Sequence, residues 1–138
     1  MLSLVTVGEY EVREGLYYSE NHVWVKVEDG KVRVGITDYA QKNLKQIINI
    51  SLLDPGSTVN AGDAFGSAES LKAAVDLISP VSGTIKEVNS EVQNNPSLIN
   101  EDPYGKGWLV VIEPSNLDED LNKLMTAEKA AEWLKSIM

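Results

Sequence analysis

The chain has 138 residues, with 21 acidic against 12 basic side chains for a net charge of −9, no cysteine and one histidine. That length suits a single domain able to bury a core. The absence of cysteine excludes disulfides, a thiolate nucleophile and Cys-ligated metal, and the acidic balance argues against nucleic acid, whose phosphates demand clustered Lys and Arg.

No run approaches the roughly 20 apolar residues of a membrane helix. The opening MLSLVTVGEY is too short, and acidic too soon, for a secretory signal. The chain therefore reads as soluble, cytoplasmic and free of membrane contact.

Residues 1–15 read as an N-terminal extension, an arm or added edge strand, ahead of a single domain over residues 16–138. HVWVKV (22–27) and KVRVGI (31–36) alternate apolar with polar, and Glu28-Asp29-Gly30 between them marks a hairpin turn. Thr37 is placed to cap a short helix, DYAQKNL. From Ile47 onward, turn residues recur at short spacing: Asp54-Pro55-Gly56, Asn60 to Asp63, Ser79-Pro80, Ser82-Gly83 and Asn94-Asn95-Pro96. Short strands so spaced predict a sandwich or barrel rather than a βαβ sheet. A strand-and-turn unit at 56–62 is faintly echoed at 83–89.

The tail from about residue 114 is helical. Ser115 opens NLDEDLNKLM with Asp118 as its capping-box partner, and Thr126 opens AEKAAEWLKSIM. In that last segment Ala127, Ala130, Ala131, Leu134 and Ile137 form an apolar stripe that should pack on the β core. The fold class is mainly β with C-terminal helices.

Little in the chain builds an active site. His22 is the sole histidine, so no Ser–His pair can be assembled with a spare base, and beside Val23 and Trp24 it reads as structural. One His and no Cys leave only carboxylates for a metal, in no EF-hand pattern. Gly62 and Gly66 lack a following Gly-Lys-Ser/Thr, and Gly105-Lys106-Gly107 runs into Trp108 rather than a helix. The sequon at Asn49 has no secretion signal to give it meaning.

The centre of the chain is different. In GDAFGSAESLKAAVDLISPVSGTIKEVN (62–89), AFGSA reads as a small-residue strand and LISPVSG as a second strand closed by a turn. Glu69 to Ala74 then forms a hairpin tip with Lys72 in solvent. Small neighbours let a second protein close around that lysine.

These residues resemble the glycine cleavage H-protein family, a relative of lipoyl and biotinyl carrier domains. The resemblance spans roughly residues 16–125 and rests on ESLKAAVD, SPVSGTIKEVN and PSLINEDPYGKGWLV, with HVWVKV and VGITDYAQ in the correct order before them. It implies a lipoyl-domain-like barrel-sandwich hybrid: two antiparallel sheets, a short helix after the opening hairpin, and C-terminal helices. It further implies lipoate in amide linkage to Lys72, with Glu69 read by the attaching enzyme and Ser70 and Asp76 completing the site. Gly66 and Gly83 would serve close strand approach, and the 104–108 loop would be structural.

On this resemblance the protein is a monomeric carrier rather than an enzyme. Its partners would be glycine decarboxylase, aminomethyltransferase, dihydrolipoamide dehydrogenase and a lipoate ligase or lipoyl/octanoyl transferase. Lipoyl-Lys72 would shuttle the aminomethyl group of glycine between the first two and be reoxidised by the third. The chain departs from the family pattern at Val23, where Glu is typical, at Asn43, often His, and at Lys45 and Gln46. Asp76 matches the family's cleft aspartate. Losing a carboxylate and an imidazole keeps an alternative open: an H-protein-like lipoate carrier in sulfur oxidation with a heterodisulfide-reductase-like system, or a lipoate relay.

Overall fold

The computed structural model describes residues 4–138; residues 1–3 of the expected extension lie outside the described part. The opening hairpin is formed by β4 (Val23–Glu28) and β5 (Lys31–Ile36), antiparallel from Val23↔Ile36 to Glu28↔Lys31. Its two turn residues are both left-handed, Asp29 at φ 48° and Gly30 at φ 78°. That is the type I′ geometry whose twist matches the flanking strands. Thr37 then caps α1 (Asp38–Leu44), its hydroxyl accepting from the Ala40 amide at 3.2 Å. Hairpin and cap are as the residues predict.

β4 is buried on both faces. Val23 and Val25 enter the main core, while Trp24 between them points into a second apolar cluster. The indole donates to the Pro103 carbonyl at 3.0 Å and lies across Gly35, its cross-strand partner. A Cβ on Gly35 would fall 2.6 Å from the ring, so only glycine leaves the indole its place.

The main core sits between two antiparallel sheets. The larger has seven strands in the order β12 (Met125–Thr126), β3 (Tyr17–Tyr18), β4, β5, β11 (Val110–Pro114), β10 (Gly83–Val88) and β7 (Thr58–Val59). The smaller joins β6 (Ile47–Leu52), β8 (Ala64–Ser70) and β9 (Ala74–Ile78). Val25, Val34 and Ile112 of the first face Ile50, Phe65 and Leu77 of the second across a shared core. Close approach of strands is visible at Gly66 and Gly83, where a Cβ would meet the Ser51 and Glu113 carbonyl oxygens at 2.3 and 2.2 Å. The echo of 56–62 in 83–89 is loose: β7 is two residues long and simply pairs with the start of β10.

The N-terminal segment is a hairpin of its own, β1 (Leu4–Val7) with β2 (Tyr10–Arg13), not an added edge strand of either sheet. Val7 and Val12 pack in the second cluster against α5 (Ala127–Ile137), beside Ala127, Ala130, Ala131 and Leu134. The stripe of α5 therefore covers the terminal hairpin and Trp24 rather than the main core. Ile137, its last member, stays exposed. Thr126 caps α5 as expected, accepting from Lys129.

Ser115 does not cap the preceding helix. α4 (Leu117–Asn122) starts one residue later, after Asn116, whose side chain bonds Glu119 instead of the backbone. The helix ends at Asn122, short of the expected segment, and the chain then enters β12; within the helix the buried Asp120 carboxylate accepts from the Ser82 amide at 2.9 Å. Two short helices, α2 (Ser90–Asn94) and α3 (Ser97–Glu101), flank the predicted break at Asn95-Pro96. Among the described residues no helix is long and apolar enough to cross a membrane.

Gly35→Ala should lower stability by about 1–3 kcal/mol through overpacking against the indole. Chemical unfolding checks this, and an unchanged midpoint would show that the Trp24 site can relax.

Candidate functional site

The central hairpin is tighter than the sequence suggests. β8 and β9 pair from Ala64↔Ile78 to Glu69↔Ala74, leaving Leu71, Lys72 and Ala73 as the tip. Glu69, Ser70 and Ala74, expected in the turn, are strand residues. LISPVSG is not one strand: β9 is AVDLI, and Ser79 to Ser82 form the bend into β10. The reason is the ladder itself, which extends pairing to the last residues able to bridge a short turn.

Ser70 fixes the turn. Its amide donates to the Ala73 carbonyl at 2.8 Å. Its buried hydroxyl accepts from the Lys72 and Ala73 amides at 3.3 and 3.2 Å and donates to the Ala73 carbonyl at 3.2 Å. A serine looped onto its own turn in this way takes the place of water at the Lys72 and Ala73 amides and the Ala73 carbonyl. Lys72 is exposed, and Leu71 beside it is 80% exposed, the most open large apolar residue in the described chain. Among the described residues the Lys72 ammonium has no ion-pair partner. Glu69 is exposed on the outer face of β8 and accepts a hydrogen bond from Asn49 on β6 at 3.4 Å.

β9 is an edge strand, and beyond its free edge a cleft of about 350 Å³ opens towards α1. Val23, Ile36, Leu44 and Leu77 line it with apolar surface, and Asn43 and Asp76 supply polar groups. Three residues singled out in the sequence (Val23, Asn43 and Asp76) thus meet in one cavity from three separate elements. Lys45 and Gln46 do not line it. Lys45 ends α1 in a left-handed conformation at φ 64°, its carbonyl accepting from Asn100 at 2.7 Å.

α1 is held from both sides. Asn100 on α3 reaches Gln41 at 2.9 Å and also accepts from the Ile47 amide at 3.0 Å. On the other side the Asp38 carboxylate receives the Glu11 amide at 2.9 Å and the Lys42 ammonium at 3.0 Å. The buried Tyr104 hydroxyl donates to the Glu11 carbonyl at 2.7 Å and accepts from the Asp38 amide at 3.2 Å. Burial pushes that phenol well above its ordinary range, so it stays protonated. The 104–108 loop is structural in this sense. Nothing in the sequence pattern disclosed the Asn100 and Tyr104 buttresses, because both depend on contacts more than 50 positions apart.

His22 lines the same cleft. It adopts φ 64° and lies between two rings, 4.7 Å from Tyr39 on α1 and 5.2 Å from Trp133 on α5. Burial lowers its pKa below the ordinary 6.5. Above 6.5 the imidazole is neutral in both folded and unfolded chains. As pH falls below that value the unfolded chain takes up the proton first, so stability drops on acidification. The unfolding midpoint should therefore decline from about pH 6.5 towards pH 5, and less so in His22→Asn. Parallel pH profiles for the two proteins would remove His22 from that account.

A family model described as the glycine cleavage H-protein matches residues 16–137. The probable glycine cleavage system H protein of Pyrococcus abyssi is 51% identical over 135 residues, which is 97% of this chain and 100% of the relative. The H protein of Thermoanaerobacter is 48% identical over 124 residues, covering 90% and 97% of the two chains. Among solved structures, a glycine cleavage system H protein from Mycobacterium marinum superposes with a TM-score of 0.81 at 37% identity, covering 87% of this chain and 96% of that one.

Proposed function

The chain belongs to the glycine cleavage H-protein family, and from that premise we propose that Lys72 is the point at which it carries lipoate, in amide linkage to Nζ. The protein works as the H protein of glycine cleavage; a role in sulfur oxidation or lipoate relay is not favoured by relatives that carry the glycine cleavage name. Its sheets and helices are those of a lipoyl-domain-like barrel-sandwich fold.

When bound, lipoate supplies a disulfide that takes up the one-carbon fragment of glycine with its amine and is later returned from dithiol to disulfide by exchange. The protein's part is presentation. Ser70 holds the tip rigid while the lysine stem stays free, so a docked partner meets the same geometry each time. The amine of Lys72 is the nucleophile that the attaching enzyme acylates. Glu69, three residues before it and turned outward, marks the strand that this enzyme reads. In glycine cleavage the docking partners would be the decarboxylase, the aminomethyltransferase and the dihydrolipoamide dehydrogenase, met in the cytoplasm by a monomeric carrier that performs no catalysis itself.

The residues fit the group. A lysine stem with an attached eight-carbon acid reaches on the order of 10–15 Å. The cleft begins at Val75, three strand residues or roughly 10 Å from the tip. Its floor of Val23, Ile36, Leu44 and Leu77 is apolar enough for a hydrocarbon chain and ring, and Asn43 and Asp76 stand at its rim for a polar end. The observation that carries the reading is this pairing: an unpartnered lysine on a rigid tip, with an apolar cleft one arm's length away. Tethering makes every transfer effectively intramolecular once a partner docks.

Intact and peptide mass spectrometry after incubation with lipoate ligase, lipoate and ATP tests the attachment, followed by glycine-dependent decarboxylation with the partner decarboxylase. Lys72→Arg should unfold at the wild-type midpoint and gain no lipoyl mass; modification at another lysine would overturn the assignment. Ser70→Ala should cost about 1–2 kcal/mol and slow lipoylation, since the tip loses its staple. Full-rate charging of that variant would show that the attaching enzyme imposes the turn itself.

A further inference from the structure

Four aromatic rings run in file behind the cleft. Tyr10 on β2 meets Tyr39 on α1 edge-on, with centroids 4.8 Å apart at 71°. Tyr39 lies 4.7 Å from His22 at 35°, and His22 is stacked on Trp133 of α5 at 5.2 Å and 29°. The two inner rings line the cleft. The two outer ones belong to the terminal segments, and Tyr10 precedes the part of the chain that the family model matches. We propose that Tyr10 and Trp133 are positioning residues for the arm of Lys72: as outer rings of the file they hold Tyr39 and His22 as the cleft wall on which the arm rests. This inference rests on the reading of the cleft as the arm's resting place.

Three observations carry it. α1 is only seven residues long, and the ring of its Tyr39 is in contact on one side with Tyr10 and on the other with His22. The terminal hairpin is tied to α1 by bonds aimed at the same turn of helix: the Glu11 amide on Asp38, the Tyr104 hydroxyl between Glu11 and Asp38, and Lys42 reaching the Glu9 carbonyl. Lys42 also lies 5.7 Å over the Tyr10 ring, a further contact between the helix and the hairpin. On the other side His22 sits in a left-handed conformation that most residues disfavour, its amide donating to Ser19 and its carbonyl accepting from Thr37, and its ring stacks on Trp133. A wall built this way owes its shape to elements that never touch the tip.

The test compares amide spectra of the ¹⁵N-labelled full chain with and without lipoate on Lys72. In wild type, lipoylation should shift Tyr39 and Asn43, which are remote in sequence from the modified lysine. In Tyr10→Ala and Trp133→Ala those shifts should shrink, as the equilibrium between resting and free arm moves about twofold to tenfold towards free, the worth of one aromatic contact, while the rate of charging at Lys72 stays at the wild-type value. Tyr10→Phe keeps the ring edge and should keep the shifts. Leu16→Ala loosens the same apolar cluster at a residue outside the file and should keep them as well. Full shifts in both ring-deleting variants, or an equal loss in Leu16→Ala, would overturn the file and leave the cleft reading standing. No shift at Tyr39 or Asn43 in wild type would remove the cleft reading and this inference together.

Discussion

β4 is the strand on which the rest of the architecture depends. Val23, Trp24 and Val25 are three consecutive buried residues, which a strand allows only when both of its faces are covered. The valines face the core between the two sheets. The indole faces outward and must itself be roofed, and the roof is made of α5, the terminal hairpin and the Pro103–Tyr104 turn. Truncating a buried Trp or Phe costs about 3–5 kcal/mol in cores of this kind, so the outer layer is integral to stability. The same strand delivers Val23 to the cleft floor and ends beside His22. Core, roof and cleft therefore share one strand, and a change in any of them is felt at the other two.

The working end is arranged on the opposite principle. A carrier gains from a tip that does not flex and a side chain that does. Backbone disorder at the tip would add an ordering cost to every docking event, whereas a mobile lysine stem raises the effective concentration of its cargo around the partner. Ser70 resolves the two demands within four residues. Its hydroxyl takes the backbone donors of the turn, and the side chains of Leu71 and Lys72 are left in solvent.

Much of this was legible locally. Asp29-Gly30, Thr37 and Thr126 each act through neighbours within a few residues, so turn chemistry and capping rules located them. The exposed tip position of Lys72 was legible because its surroundings are a short contiguous pattern. The cleft was legible only in part: Val23, Asn43 and Asp76 could be named one by one, but their meeting in one cavity depends on how β4, α1 and β9 are stacked. The two-residue strands β7 and β12 carry no periodicity to detect. The rings of Tyr10, Tyr39, His22 and Trp133 come from four places in the chain, and no spacing rule links them. The bond between Asp120 of α4 and Ser82, 38 positions away, is likewise outside the reach of any local pattern.

The composition of the cleft decides what kind of force can hold an arm in it. Asp76 is its only carboxylate, and it is exposed at the edge of a sheet. A cationic group placed beside it is in water-like dielectric, where such a pair contributes about 0–1 kcal/mol. The apolar floor acts differently. Each Å² of hydrocarbon it removes from water gains about 25 cal/mol, and that gain is not screened by salt and does not depend on the charge at the arm's end. On the proposed function, Val23 adds to that apolar floor, so retention of an arm there would rest on apolar contact, with the polar rim choosing orientation more than supplying affinity. An arm held in that way would leave the cleft without first having to break an ion pair.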